Sequence, residues 1–470
     1  MSSIDTAWLR MDRPYNLMMI TGVMVLEDKL ELEKLRRTVS SLFLSHKRFK
    51  QKPVPHANGY YWETDPHFEL ASHVRRIGLA GKGDKEALEE LVSDLMSTPL
   101  DPSKPLWQYH LVDSYEGGSV VIIRIHHCYA DGIALIQVLL SMTTTSPTEQ
   151  IKQRPIRTAL HKHKHKTDHD GGIFELLFHP FEAVDHAVKA GQHLLEEGME
   201  VVRHTPDLLS YAAHGVGVVS EAAKLLIMPD DNPTRFKGKP GVIKRVAWID
   251  PLPQADIKVV GKALGCSIND VLLSCVAGAL RSYLVEKGEC VDGLEIRATV
   301  PVNLRPLDQV QNLGNYFGLV FLELPIGIAD PVTRIYEVRK RMERLKGSYQ
   351  AILALGLLGT LGFGPKIVQA SAIKVLSKKA TAVMTNVPGP QMPLYYAGDR
   401  IKEMMFWVPQ SGSIGMGVSI LSYDGLVQFG LVTDKNMVPD PKLIINRFGA
   451  EFEQVLLATM MESWGETANG

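Results

Sequence analysis

The stretch Ser119–Gly132, which reads SVVIIRIHHCYADG, decides the fold. Its first seven residues are apolar or β-branched with a single charge, and this pattern predicts a strand buried on both faces. The motif His126-His127-x-x-x-Asp131-Gly132 follows directly, and an apolar stretch with helical spacing comes after it. A chance match to those four positions somewhere in the chain is on the order of a few in a thousand. The stretch therefore predicts a strand, a tight turn and a helix, with two histidines at the end of the strand.

The histidine pair has the chemistry of a catalytic centre. A histidine at the end of a buried strand can act as a general base, because its ordinary pKa lies close to neutral pH. We take His127 as the first candidate for that base and His126 as a second catalytic candidate beside it. Gly132 allows the tight turn, and Asp131 can anchor it by pairing with a cation. The alternative is a buried histidine pair that only stabilises the turn, and the complete motif favours catalysis.

The remaining histidines and the nearby cysteine are weaker candidates. All sixteen histidines lie at or before residue 214, so an imidazole base has to come from the first half of the chain. His161, His163 and His165 alternate with lysines, whose charges repel a metal ion, so a solvated loop is expected there. Cys128 follows His127 directly, and adjacent strand side chains point to opposite faces. This argues against Cys128 as a nucleophile in the same site.

Composition bounds the class of protein. The chain has 470 residues, of which 45% are hydrophobic and 22% are charged, which suits two packed domains and excludes a largely disordered chain. Lys and Arg (51) nearly balance Asp and Glu (52), and without a basic excess no nucleic-acid partner is expected. The four cysteines show neither a disulfide framework nor metal-ligand spacing. This favours the reducing cytoplasm.

No segment has the pattern of a secretory signal or a membrane span. The N-terminus lacks a basic region followed by an apolar stretch. The longest uncharged and mostly apolar run is Ala351–Gly364, AILALGLLGTLGFG, which is shorter than the about 20 residues that cross a bilayer. We therefore expect a chain without a transmembrane helix, in which this one run can touch a membrane surface.

The chain divides into a first half (residues 1–145), a middle segment of different composition (146–239) and a second half (residues 240–470). The middle segment is expected to be a helical crossover with a mobile loop. Alternation and apolar runs predict strands at Ser119–Ile125, Val242–Ile249, Leu294–Val302, Gly318–Leu324, Ala380–Val387, Gly415–Tyr423 and Val427–Thr433. Helical spacing predicts helices at Leu30–Leu44, Lys85–Met96, Ile133–Met142, Phe174–Arg203, Asp207–Ile227, Gln254–Leu264, Asn269–Leu284 and Asp440–Thr459. The fold class is α/β (α+β), with two sandwich domains and a cleft between them.

Four motifs in order carry a resemblance to a known family. They are HHCYADG, the Pro105-Leu106-Trp107 triplet, Asn269-Asp270 within SIND, and Thr385-Asn-Val-Pro-Gly-Pro390. Together they resemble the bacterial wax ester synthase/diacylglycerol acyltransferase family, a branch of the HHxxxDG CoA-dependent acyltransferases. The heptad alone also resembles chloramphenicol acetyltransferases and the condensation domains of peptide synthetases. The resemblance implies two chloramphenicol-acetyltransferase-like sandwich domains joined by a helical crossover.

The resemblance implies a reaction and a set of roles. A fatty acyl group would pass from acyl-CoA to a long-chain alcohol or a diacylglycerol, with His127 as the base and without a metal or redox cofactor. Asn269 is the first candidate for the oxyanion donor, and its alternative is a helix N-cap. Thr385, at a position where the family usually has Ser, and Asn386 are possible oxyanion or CoA contacts, and their alternative is a loop shaped by NVPGP.

The supporting residues have structural roles in this scheme. Relatives hold the motif loop by a salt bridge, which implies Arg305 as the partner of Asp131. Leu106 and Trp107 are expected to pack beneath the motif strand. The Gly314-Asn315 turn is interpreted as backbone geometry.

An apolar tunnel would dominate recognition of a long acyl chain, because each buried methylene contributes about 0.8 kcal/mol. Leu355 and Leu358, in the apolar run described above, and Met405 are candidates for its wall, and the alternative for the run is an ordinary buried helix. A peripheral location at the inner membrane or at lipid bodies follows from such substrates.

Two other functions stay open at this stage. A condensation-type enzyme would use carrier-protein thioesters and would need an adjoining carrier or a docking site. A non-catalytic lipid-surface protein would tolerate loss of the heptad. All four defining residues of the heptad are present, which favours the enzyme that uses acyl-CoA.

Overall fold

A computed structural model of the chain describes residues 1–56, 59–149, 228–304, 313–346, 350–351, 354 and 366–467. The strands are β1 (Met19–Leu26), β2 (Gln51–His56), β3 (Gly59–Thr64), β4 (Val74–Ile77), β5 (Trp107–Tyr115), β6 (Gly118–His126), β7 (Thr143–Thr144), β8 (Lys244–Trp248), β9 (Leu252–Pro253), β10 (Ile296–Asn303), β11 (Phe317–Leu324), β12 (Ala382–Pro388), β13 (Tyr395–Tyr396), β14 (Asp399–Trp407), β15 (Met416–Tyr423) and β16 (Leu426–Asp434). The helices are α1 (Ser3–Met11), α2 (Leu32–Ser41), α3 (Leu70–His73), α4 (Lys85–Ser97), α5 (Gly132–Ser141), α6 (Gln254–Leu264), α7 (Ile268–Glu286), α8 (Pro331–Lys346), α9 (Lys366–Lys378) and α10 (Pro441–Thr467).

The first sheet has the strand order β4-β5-β6-β1-β14-β13-β7. β6 is an interior strand of this sheet, and every residue in it is buried, as the nearly continuous apolar run predicts. Strand β1 pairs with β6 in antiparallel register and sets Met19 opposite His126. The histidine pair therefore stands at the end of a central strand, where neighbouring elements enclose it.

The second sheet has the order β11-β10-β12-β15-β16-β8, with β9 beside β16. Helix α7 packs along this sheet. It begins with a capping box, in which the side chains of Ser267 and Asp270 each accept the backbone N–H of the other residue. Among the described residues α7 is the one helix that is long and apolar enough to cross a membrane, but 72% of its apolar window is buried inside the fold. It is therefore the core helix of this half.

The second half of the chain supplies two strands to the first sheet. β13 and β14 come from the second half of the sequence but lie in the first sheet, where Thr21 of β1 faces Trp407 of β14. Side chains of both sheets form a single buried cluster there, including Val23 and Met405 from the first sheet and Val432 from the second. The division at residues 145 and 240 stays a prediction for the folding units, and the sheets do not follow it.

Most predicted elements are confirmed. The seven predicted strands β6, β8, β10, β11, β12, β15 and β16 lie within two residues of their expected bounds, as do helices α4, α5, α6 and α7. The helix predicted over 30–44 is shorter, because α2 ends at Ser41 and a 3₁₀ turn, Phe43–Ser45, follows. The helix predicted over 440–459 is longer and continues to Thr467. The predicted helices over 174–203 and 207–227 and the histidine–lysine run lie outside the described residues.

Candidate active site

His127 lies just beyond β6 in an apolar enclosure. Its backbone N–H donates to the Met18 carbonyl at 2.7 Å, which holds the residue in line with β1. Its ring stacks on the indole of Trp8 in α1, with 4.1 Å between centroids and 17° between planes, and the ring of Phe317 lies 5.5 Å away. The N-terminal helix and strand β11 therefore form two walls around the imidazole.

Burial lowers the pKa of His127 to about 4. The negative charge of Asp131 and hydrogen bonds to the residue's own backbone and to Asn315 act in the opposite direction but do not offset the lost hydration. The imidazole is therefore neutral at physiological pH. A neutral ring has a lone pair ready to accept a proton, which a general base requires.

His126 and Cys128 have structural contacts. The Nδ1 atom of His126 accepts the backbone N–H of Cys128 at 3.1 Å, and its Nε2 lies 3.8 Å from Oδ1 of Asp12. These contacts shape the turn that carries His127. Burial raises the pKa of the Cys128 thiol well above its ordinary value, so the sulfur stays protonated and is a poor nucleophile.

Asp131 fixes the motif loop through backbone groups of two segments. Its carboxylate accepts the N–H of Ala134 at 2.9 Å as the N-cap of α5, and it accepts the N–H of Tyr316 at 2.9 Å. Its own N–H donates to the Gly314 carbonyl at 3.1 Å. Asp131 thus ties the motif to the loop before β11. The expected ion-pair partner, Arg305, lies outside the described residues.

Gly132 does not have the expected role of allowing a tight turn through the conformational freedom of glycine. It begins α5 and is not among the glycines with positive φ, so the turn does not depend on the conformational freedom of glycine. A Cβ added there would meet Cγ1 of Val408 at 4.0 Å, which is ordinary contact. The next residue, Ile133, packs against the core of the second half. The start of α5 therefore faces the boundary between the halves.

The structure brings Asn269 and Asn386 together. Both are buried, and Nδ2 of Asn386 donates to Oδ1 of Asn269. The N-cap of α7 is Ser267, so the alternative interpretation of Asn269 as the cap is wrong. With its oxygen engaged, Asn269 retains its amide nitrogen as a donor, which is the group that an oxyanion site needs.

The hydroxyl of Thr385 belongs to the second sheet. Its Oγ1 donates to the Val418 carbonyl on the adjacent strand at 3.2 Å, and the side chain is buried. This hydrogen bond is a structural role, and a contact with oxyanion or CoA stays a prediction.

Sequence reasoning missed Asn315 as a site residue. The side chain is buried, and Nδ2 donates to Oδ1 of Asp5 at 2.9 Å and to the carbonyl of His127 at 3.0 Å. Burial raises the pKa of Asp5 although Asn315, Ser2 and the guanidinium of Arg48 act against it. The only signal in the sequence was a polar side chain next to a glycine, in NLGNYFG, which is equally typical of a turn.

The Pro-Leu-Trp triplet packs beneath the motif, as expected. The indole N–H of Trp107 donates to the Phe49 carbonyl at 2.7 Å, and its ring is fully buried. The N–H of Leu106 donates to the hydroxyl of Tyr129, which lies inside the heptad, at 3.0 Å. The triplet therefore supports the motif loop from below.

Of the three predicted tunnel residues, Met405 lies in the described part of the chain. Met405 is buried in the cluster between the sheets, packed with residues such as Trp407. Leu355 and Leu358 lie outside the described residues. Within the part that is described, no group of three or more His, Cys, Asp or Glu could hold a metal ion.

Comparison with known proteins decides the family. A model described as the wax ester synthase/diacylglycerol acyltransferase catalytic domain matches residues 1–272, and one for the WS/DGAT C-terminal domain matches residues 313–455. The chain belongs to the wax ester synthase/diacylglycerol acyltransferase family. The resemblance seen in the sequence is confirmed, and so is the prediction of an acyltransferase.

Named relatives agree with the family. A probable diacylglycerol O-acyltransferase of Mycobacterium tuberculosis and a putative one of Mycobacterium bovis are each 28% identical to this WS/DGAT chain over 386 residues. The match covers 81% of this chain and 77% of each relative.

Solved structures confirm the fold class. A wax ester synthase/diacylglycerol acyltransferase from Marinobacter aquaeolei VT8 matches with a TM-score of 0.65 at 18% identity, over 97% of this chain and 98% of that one. The first condensation domain of the calcium-dependent antibiotic synthetase matches with a TM-score of 0.58 at 13% identity, over 97% and 95% of the two chains. At these identities the likeness concerns the fold alone.

Proposed function

We propose that this chain transfers a long-chain fatty acyl group from acyl-CoA to a fatty alcohol or a diacylglycerol, with His127 as the general base. The observation that carries the proposal is the neutral, enclosed imidazole of His127 at the boundary between the halves. Membership of the family supports the reaction class, and the names of the relatives support an alcohol acceptor.

The proposed reaction has two stages. The acceptor hydroxyl gives its proton to His127 as its oxygen forms a bond to the thioester carbonyl carbon. The carbonyl oxygen becomes an oxyanion, for which the Nδ2 group of Asn269 is the candidate donor. The oxyanion then collapses, the carbon–sulfur bond breaks, and the imidazolium returns the proton to the departing sulfur. The products are an ester and free CoA. General-base assistance contributes roughly 10²–10⁴-fold to such a step.

We place the enzyme in the cytoplasm, at the surface of the inner membrane or of lipid bodies. Long-chain acceptors partition into lipid, so an enzyme that consumes them benefits from contact with it. Helix α9 supports this proposal, because Val368 and Val375 are exposed beside the exposed lysines Lys366, Lys374 and Lys378. Fractionation of cells into soluble, membrane and lipid-body fractions tests the location.

Thiol release from palmitoyl-CoA tests the activity. Purified enzyme is assayed with hexadecanol, with dioleoylglycerol and without acceptor, beside a His127→Ala variant. We expect acceptor-dependent thiol release that falls roughly 10²–10⁴-fold in the variant. His110→Gln is the matched control, because His110 is another buried histidine whose pKa is lowered to about 4, and it lies on β5 away from the motif.

Two results would contradict the proposal. Full activity of His127→Ala would remove His127 as the base. No thiol release with either acceptor at several acyl lengths would exclude acyl-CoA as the donor, and a carrier-protein thioester would become the better candidate.

A further inference from the structure

The side chain of Asn315 makes an unusual pair of contacts with the site. Its Nδ2 group uses both hydrogens, one on Oδ1 of Asp5 at 2.9 Å and one on the backbone carbonyl of His127 at 3.0 Å. Both acceptors are oxygen atoms, so an amide turned by 180° would face its own oxygen to them. The orientation of the Asn315 amide is therefore fixed by its neighbours.

That orientation leaves two buried polar atoms in the site. Oδ1 of Asn315 and Nδ1 of His127 have no well-aligned hydrogen-bond partner among the described residues. A buried polar group without a partner costs about 1–3 kcal/mol. The Asn315 side chain nevertheless raises the pKa of His127 through a hydrogen bond, so the two groups lie near each other. A hydrogen bond from Nδ1–H to Oδ1 would satisfy both atoms.

We propose that Asn315 is the positioning residue of His127, holding its backbone through Nδ2 and accepting the Nδ1 proton on Oδ1. The proton on Nδ1 leaves the lone pair on Nε2, which then faces the acceptor hydroxyl as the base. Only one tautomer of a neutral imidazole can do this work, and the partner of the other nitrogen selects it. The carboxylate of Asp5 fixes the amide from α1, the helix whose Trp8 stacks on the same ring.

This inference rests on the proposed role of His127, but it is tested independently. The variant is Asn315→Ala. Its matched control is Asn16→Ala, because Asn16 is also buried and its amide also donates to a backbone carbonyl, that of Gly412, at 2.7 Å. Steady-state kinetics with palmitoyl-CoA and hexadecanol give kcat and KM. Two-dimensional ¹⁵N NMR of histidine-labelled protein reports which ring nitrogen carries the proton, and His127→Ala identifies the signal.

We expect His127 of the wild type to carry its proton on Nδ1. In Asn315→Ala we expect kcat to fall about 10- to 100-fold, KM for palmitoyl-CoA to change by less than about twofold, and the ring signal to show a mixture of tautomers. Asn16→Ala should keep the single tautomer and kcat.

Several results would overturn the inference. One is a wild-type His127 that carries its proton on Nε2, a result that does not depend on whether Asn315→Ala folds. Others are an unchanged tautomer in Asn315→Ala, which would mean that the residue's own carbonyl suffices, or a kcat equal to that of Asn16→Ala. Activity retained in His127→Ala would instead refute the proposed base, and the NMR spectra would still test the contact.

Discussion

The ring of His127 packs against both Trp8 and Phe317, and burial in this apolar surrounding lowers its pKa to about 4. We therefore predict that kcat/KM stays level from about pH 8 to about pH 5 and falls only towards pH 4, because the ring is protonated only there. Initial rates across that range check it. Enzyme held at each pH and then assayed at neutral pH controls for unfolding. An acidic limb centred near pH 6.5 would indicate an exposed histidine as the base instead.

The pairing of Asn269 with Asn386 assigns them different effects. Asn386 donates to the oxygen of Asn269, so in the proposed mechanism the Asn269 nitrogen is the group left to donate to the reacting carbonyl. We predict that Asn269→Ala lowers kcat by about 10²–10³-fold with little change in KM, as loss of an oxyanion donor does. Asn386→Ala should cost less, because the donor remains but is less well oriented. Steady-state kinetics measure both. Asn232→Ala is the control, since Asn232 is exposed, and equal rates in all three variants would refute the oxyanion role.

At the scale of elements, two helices begin with the same cap. Asp84 caps α4 and Asp131 caps α5, each accepting the N–H of an alanine three residues later. Only Asp131 also accepts the N–H of Tyr316 in another segment. We predict that Asp84→Ala lowers the free energy of unfolding by about 1 kcal/mol and leaves activity intact. Asp131→Ala should cost about 2–4 kcal/mol, because the Tyr316 N–H also loses its partner, and should lower activity.

Urea unfolding and the thiol-release assay check this pair of variants. The exposed Asp84 controls for the loss of a cap alone. If the two variants lost equal stability and Asp131→Ala kept full activity, the carboxylate would be an ordinary cap with no part in placing the motif.

Local patterns predicted those elements whose signal is local. The apolar run of β6 and the helical spacing of α7 each identify an element without reference to the rest of the chain. Strand β14 reads DRIKEMMFW, and its mixed charges obscure the strand pattern of an element whose buried Met405 and Trp407 pack against the second sheet. Its pairing with β1 depends on residues several hundred positions away, so no window of sequence contains it.

The site shows the same limit. The heptad located His127 because the motif is contiguous, and SIND located Asn269. Asn315 was missed because its partner Asp5 is 310 residues away, and only the fold brings them together. The cap of α7 was misassigned because Ser and Asn are both good caps, and only the backbone shows that Ser267 holds that place.

At the scale of the whole molecule, the insertion of β13 and β14 into the first sheet joins the halves around the motif. His127 lies at the end of a strand of the first sheet, and Asn386 lies in the second sheet. The cluster between the sheets includes Met405 and Trp407 from β14. The proposed base and the proposed oxyanion donor Asn269, which Asn386 holds at the second sheet, need a fixed relative position, because small displacements cost rate. β14 provides this fixed position, because it belongs to the second half of the chain and is packed within the first sheet.

The buried histidines also make the stability of the whole fold depend on pH. The pKa of His110 and of His127 is about 4 in the folded protein and near 6.5 in the unfolded chain. As the pH falls below about 6.5 the unfolded chain binds protons that the folded protein does not, so the free energy of unfolding decreases until about pH 4. We predict a loss of about 1 kcal/mol per histidine between about pH 7.5 and pH 5.5. His46 and His73, whose pKa burial also lowers, act in the same direction.

Urea unfolding at those two pH values measures the loss, and His110→Gln and His127→Ala apportion it. The free energy of unfolding should differ between the two pH values by about 1 kcal/mol less in each variant than in the wild type, whatever the stability of the variant at neutral pH. The reason is that each variant removes one group that titrates only in the unfolded chain over this range. Carboxyl groups whose pKa burial raises, such as Glu89, oppose this trend, because the folded protein binds their protons at a higher pH than the unfolded chain does. If both variants kept the wild-type change in the free energy of unfolding between the two pH values, neither ring would be buried in its neutral form. The enclosure that defines the proposed base would then be absent.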